Sequence, residues 1–120
     1  MVNRGSNVII MLPDAKVPLL IAHQIPALSG IQQGAVLTKI IGVFSAYTRN
    51  AIREGQVPEI RKCLSMAGVL YKNGSKGLKN AIESVFLYSI SPFLDSPIKS
   101  YLPVSLRQIR HQIILNNALC

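Results

Sequence analysis

The chain has 120 residues, 49% hydrophobic and only 15% charged, and its 13 Lys and Arg against 5 Asp and Glu leave a net charge of +8. That length holds one core rather than two, and a mean hydropathy of +0.34 excludes intrinsic disorder. The charge favours an acidic protein, nucleic acid or anionic lipid without choosing among them; two distant cysteines, Cys63 and Cys120, exclude a disulfide framework and make a reducing cytoplasm the default.

Met1 to Ser6 reads as a frayed end, and Val8 to Leu12 as a short strand-like or irregular segment closed by Pro13-Asp14, so residues 1–17 form an irregular arm of a single helical domain, 1–120. Arg4 followed by that apolar segment loosely mimics a secretory signal. Pro13, Asp14 and Lys16 split its apolar region, and a cleaved leader is not expected. Pro18 to Ala27, with Leu19, Leu20, Ile21 and Ile25, reads as a short first helix that Ser29-Gly30 ends.

Gln32 to Glu54 is the longest helical run, with Val36, Ile40, Val43, Phe44, Tyr47 and Ala51 in register on one face. It is expected as a central helix. Its reverse carries Lys39, Gly42, Ser45, Ala46, Arg49 and Arg53, a strip of small residues edged with positive charge that suggests a homodimer face. Gly55 stands where a helix C-cap is expected.

The stretch from Gln56 to Asp95 reads as two amphipathic helices folded back around Asn73-Gly74-Ser75, and it organises the rest. In the first arm Ile60, Cys63, Leu64, Ala67, Leu70 and Tyr71 share a face opposite Arg61, Lys62, Ser65 and Lys72. Pro58 suits the first turn, because the amide it lacks has no partner there, and the start falls near Val57. Asn73 and Gly74 tolerate the left-handed conformation that closes a helix, and Ser75 can accept from the amides of the next one. The second arm places Leu78, Ile82, Val85, Phe86, Ile90 and Phe93 on one side and Lys79, Asn80 and Glu83 on the other, until Pro92 ends or kinks it.

After a turn at Asp95-Ser96-Pro97, Pro103 opens a last helix. On it Leu102, Leu106, Ile109 and Ile113 share a side, Arg107, Gln108, Arg110 and His111 turn outward, and Asn116-Asn117 mark the end. The sum is an all-α fold, a compact bundle of four to five helices built on a central helical hairpin. No run of about 20 uncharged apolar residues is present, so no transmembrane segment is expected.

From Gly74 to Phe86 the chain carries a glycine turn, Leu78, Lys79, Asn80-Ala81, Ile82 and Phe86. In this it resembles a group of small all-helical bacterial proteins of unknown function, over roughly Gly55 to Leu106 and including Leu102-Pro103-x-x-Leu106. The resemblance implies a hairpin akin to one HEAT repeat, no known catalysis, and a role as an adaptor or immunity-like protein that binds another protein. Immunity proteins of that kind are often acidic, and this basic chain departs from them. Asn80 is the residue carried over, with a structural role: its amide would tie the turn to a neighbouring helix end.

Catalysis requires convergent titratable groups, and the inventory here is thin. His23 and His111 lie on different helices without an acidic residue within one turn, and Glu54, Glu59, Glu83 and Asp95 read as helix-end or solvated charges. The glycines follow no strand and precede no GK[ST] element. No catalytic residue, metal site or cofactor is expected, and buried Cys63 is read as a small hydrophobe. The candidate interaction surface is Lys39, Arg49, Arg53, Arg61, Lys76, Lys79 and Asn80. Its expected use is protein contact, with the partner unknown and a homodimer one form of it. The alternative is a small basic nucleic-acid-binding protein in which Asn73-Gly74-Ser75 is the turn of a helix-turn-helix and Lys76, Lys79 and Asn80 front its recognition helix, although Leu87, Tyr88 and Pro92 of that helix read as packing. A third reading lays residues 39–53 on anionic lipid, but core packing explains their apolar face more economically.

Overall fold

Pro18 and Pro58 each stand in the first turn of a helix, where a missing amide proton costs nothing. The computed structural model describes residues 12–30, 35–94 and 96–119. A 3-10 turn, Asp14–Lys16, leads into α1, Val17–Gln24, and a second one, Pro26–Leu28, follows it. Helices α2, Leu37–Arg53, and α3, Val57–Asn73, come next. The second arm of the hairpin, α4, spans 76–90: it is α-helical over Lys76–Ala81, widens to a π turn over Ile82–Leu87, and returns to α geometry over Tyr88–Ile90. A 3-10 turn, Ser91–Phe93, a single turn α5, Ser96–Lys99, and α6, Val104–Leu119, complete an all-α bundle without a strand among the described residues.

The core is one cluster to which every long helix contributes. Phe44 of α2 and Phe86 of α4 stack at its centre with ring centroids 5.0 Å apart, surrounded by Ile21, Ile41, Ile60, Leu64, Leu70, Leu78, Ile82 and Leu106. The expected face of α3 is the buried one, with Met66 added and Tyr71 half-buried.

Helix α2 departs from expectation in two ways. It begins at Leu37, because Val36 is extended (φ −67°, ψ 150°) and forms the N-cap; Gln32 lies outside the described residues. Its buried face is also rotated: Val36 is 67% exposed and Val43 is exposed, whereas Ile41, Ser45, Thr48 and Ile52 are buried. The reason is that α2 packs against α3 on one side and α4 on another, so burial extends beyond a single stripe. Two polar residues go inside because their hydroxyls are satisfied locally. Ser45 Oγ donates to the Ile41 carbonyl at 2.6 Å and Thr48 Oγ1 to that of Phe44 at 2.9 Å. The small-residue strip is therefore only partly outward: Ser45 is buried and Gly42 and Arg49 are half-buried, while Lys39, Ala46 and Arg53 are exposed.

The turn after α3 closes without a left-handed residue. Gly74 is extended (φ −88°, ψ 169°), and Ser75 then caps α4 by accepting from the Leu78 amide at 3.2 Å, as expected. In α4 the π turn shifts the helical register, so Leu87 turns inward while Tyr88 stands 72% exposed. Tyr88 and Pro92, read from the sequence as packing, are both outward, and Val85 and Phe93 are half-buried. Pro92 does end the α geometry, which stops at Ile90.

The expected turn at 95–97 is instead the helical turn Ser96–Lys99, with Asp95 outside the described residues. Helix α6 opens after Pro103, whose carbonyl accepts from the Arg107 amide at 2.9 Å, and it runs past Asn117 to Leu119. The side chain of Ile113 and the arm before Leu12 lie outside the described residues. Leu12 itself is tied to the hairpin turn, its amide donating to the Asn73 carbonyl at 2.6 Å.

Candidate interaction surface

The seven candidate residues fall on three helices. Lys39 is exposed near the start of α2, on the rim of a cavity of about 360 Å³ lined also by Ala27, Leu28, Gly30, Ala35, Ile40 and Val43. Ten residues further along that helix, at 1.5 Å each and so about 15 Å away, Arg49 donates to Ser89 Oγ. Arg53 lies over the Phe93 ring at 5.8 Å. These two arginines, one turn apart, share the segment 89–93. Arg53 stands in the last turn of α2, where a cation complements the carbonyl end of the dipole. Arg110 reaches the same segment, its Nε donating to Ser91 Oγ at 3.2 Å while Ser91 donates to the Leu87 carbonyl at 2.6 Å.

Arg61 stands elsewhere, on α3, over the Tyr101 ring at 4.7 Å. Lys76 is exposed in the first turn of α4, and Lys79 lies over the Tyr71 ring at 5.6 Å. Asn80 is exposed, and its backbone carbonyl accepts from Ser84 Oγ at 2.7 Å. The tie that the resemblance assigns to the Asn80 amide is made by other residues. Asn73 Nδ2 donates to the Val69 carbonyl at 2.9 Å, and Ser75 Oγ donates to Asp14 Oδ1 at 2.7 Å. The structure thus brings together Arg49 with Arg53, and Lys76 with Lys79 and Asn80, and leaves Lys39 and Arg61 apart from both groups.

Three of the carboxylates, Asp14, Glu59 and Glu83, accept from hydroxyls of the same molecule, while Glu54 is exposed and Asp95 lies outside the described residues. Tyr47 on α2 donates to Glu59 Oε1 on α3 at 2.6 Å, and Tyr71 on α3 donates to Glu83 Oε2 on α4 at 2.8 Å, each pair 12 residues apart. The sequence reading missed these clamps, although a Tyr and a Glu recurring at one spacing on consecutive helices is a signal that could have found them. The Glu59 bond, with burial second, pushes the Tyr47 hydroxyl up to about 12; that same bond, aided by Lys62, holds Glu59 below the usual carboxylate range. Burial first, then Glu83, pushes Tyr71 up to about 12. Lys62, 3.2 Å from Glu59, is the cation that lies on a carboxylate among the described residues. The other cations rest on rings or hydroxyls or face water.

Among these charges stand apolar side chains open to solvent: Val57 is 40%, Val69 42% and Val104 58% exposed. His23 is exposed, its ring Nδ1 3.5 Å from Gln24 Nε2. His111, also exposed, lines a depression of about 680 Å³ along α6 with Val104, Arg107, Gln108, Ile109 and Gln112. Among the described residues no three His, Cys, Asp or Glu stand where they could hold a metal ion, and no helix is long and apolar enough to cross a membrane. Cys63 is fully buried, and burial pushes its thiol up to about 11, so it serves as a small apolar side chain.

A model of the family described as Domain of unknown function (DUF7674) matches residues 18–116. No curated protein and no solved structure matches the chain.

Proposed function

The chain belongs to that family of unknown function, and from this premise we propose that it is a non-enzymatic binding module that docks a protein partner of acidic character. The observation that carries the reading is the excess of cations on the surface: Lys39, Arg53, Arg61, Lys72 and Lys76 are exposed, against Asp14 and Glu54 among the carboxylates. Glu59, Glu83 and Asp14 each accept from a tyrosine or serine of the same molecule. Arg53, Arg61 and Lys79 meanwhile lie over aromatic rings, which hold a cation in place without neutralising it. Arginine and aromatic residues are what protein interfaces are enriched in, and the exposed valines give a protein partner something to cover. A nucleic acid would use the cations and leave the valines wet. A cytoplasmic setting belongs to the same reading, supported by a buried, unbridged Cys63.

The test is photo-crosslinking of the full chain in its native cell, with the reactive group placed at the exposed Tyr88 or Lys72. The expected adducts are sensitive to protease and indifferent to nuclease. Adducts that collapse on nuclease treatment would move the reading to nucleic acid, and the absence of any adduct from either position would remove it.

A further inference from the structure

The outward stripe of α3 meets the turn that precedes α6 along one seam. Arg61 lies over Tyr101 at 4.7 Å. Further along the helix, Gly68 backs onto Pro103 so closely that a Cβ there would stand 2.7 Å from its Cγ. At 100° per residue, Val57, Arg61, Ser65 and Lys72 fall within one arc of α3, and all four are exposed. Val104, the most exposed valine of the three, continues that surface across the seam.

The face is apolar and positive. Glu59, on the same helix, sits on the opposite side of this arc, where Tyr47 and Lys62 hold it. These two properties together decide the occupant. A second copy of the chain would meet this face with the same face, as two-fold symmetry requires, and so set Arg61 and Lys72 against like charges. A nucleic acid would engage the cations but gain nothing from Val57 and Val104.

We propose that this seam docks an acidic segment of a partner protein, one in which Asp or Glu stands between aliphatic or aromatic side chains. The proposal rests on the reading of the chain as a protein-binding module. The carboxylate accepts from the Arg61 guanidinium, a planar donor suited to bidentate pairing. Stacking on Tyr101 has already limited that side chain's freedom, so little is lost when the pair forms. Val57 and Gly68, against which Pro103 packs beside Val104, lie 11 residues and so about 16 Å apart along α3. Apolar side chains on either side of the carboxylate therefore cover Val57 and Val104 separately and remove from water the surface they expose.

The test selects a random peptide library on the immobilised full chain and titrates the winners against variants. Selected peptides should be rich in Asp or Glu beside an apolar residue. Their affinity should fall by about tenfold or more for R61E and for V104D, the loss typical of a central contact, and stay within about twofold for T38E, an exposed position on another helix. Arg61→Lys should lose part of the affinity, because it keeps the charge without the planar fork. Unchanged melting of R61E and V104D, both altered at exposed positions, shows that the loss is local. Peptides that bind R61E and V104D as well as wild type would overturn this seam while leaving the chain a binding module. Failure to select any peptide would overturn the module itself.

Discussion

At the turn between α2 and α3, Gly55 takes φ 65°, and nothing lies within 4 Å of where its Cβ would be. Its amide donates to the Ile52 carbonyl at 3.1 Å and the Gln56 amide to that of Ala51 at 3.0 Å, the paired bonds of a Schellman close. At the next turn Gly74 is extended, a conformation open to any residue, yet a Cβ there would stand 2.4 Å from Leu78 Cδ2 and 2.6 Å from the Leu70 carbonyl oxygen. One glycine is kept for its dihedral freedom and the other for room. The same mark in the sequence, a glycine after an amphipathic helix, hides two mechanisms, and α4 can pack down on α3 only because the second turn is bare.

The comparison breaks most directly at the crowded turn. Gly74→Ala must displace Leu78, which is fully buried, or the backbone of α3. The expected loss is about 2–3 kcal/mol, at the upper end of overpacking costs, read from the midpoint of urea unfolding. Gly55→Ala has space but forces a left-handed alanine, so about 1–2 kcal/mol is expected. Gly55→Asn should lose less, since asparagine enters that region more readily. If Gly74→Ala proved milder than Gly55→Ala, the crowding assigned to the second turn would be wrong.

The helix starts that follow these turns sharpen the contrast. Ser75 accepts from the Leu78 amide and donates to Asp14, whereas Gln56, the N-cap of α3, makes no side-chain cap. Ser75→Ala should therefore cost about 1 kcal/mol, the usual worth of a cap, and Gln56→Ala close to nothing. Equal effects in thermal melts would show that Ser75 does not hold the second turn.

How much of this was legible depends on how many neighbours an element has. Helix α3 was read correctly, start, end and face, because its apolar residues form one stripe and Arg61, Ser65 and Lys72 form the other. Helix α2 was not, because it touches neighbours on more than one side. There Ser45 and Thr48 go inside by bonding to their own helix, which a reading of polar as outward cannot anticipate. The π turn in α4 carries no residue mark, and so Tyr88 was placed inside. The basic residues of the candidate surface were visible as types. Their separation into the Arg49–Arg53 group, the Lys76–Lys79–Asn80 group and a solitary Arg61 on Tyr101 follows from helix packing that the spacing alone does not contain.

The two Tyr–Glu clamps, one joining α2 to α3 and the other α3 to α4, offer the finest contrast between the helix pairs on either side of those two turns. Both phenols titrate at about 12 in the folded chain against about 10 in an unfolded one. A raised phenol pKa contributes stability that is whole below the unfolded value and lost as pH climbs from 10 to 12, so both clamps predict alkaline weakening. Their causes differ, since the Glu59 bond leads for Tyr47 and burial leads for Tyr71. Glu59→Gln should therefore bring Tyr47 back toward its ordinary value, followed by tyrosinate absorbance, while Glu83→Gln leaves in place the part of the Tyr71 shift that burial causes. On the acid side Glu59, held low, contributes stability that is present above the ordinary carboxylate value and lost as pH falls through its depressed one. Tyr47→Phe removes the leading cause of that depression. It should flatten both the alkaline and the acid limbs of the stability profile, whereas Tyr71→Phe flattens the alkaline limb. A Tyr47→Phe profile with its acid limb intact would assign the Glu59 shift to Lys62 instead, and the first clamp would then be no more than a contact between two helices.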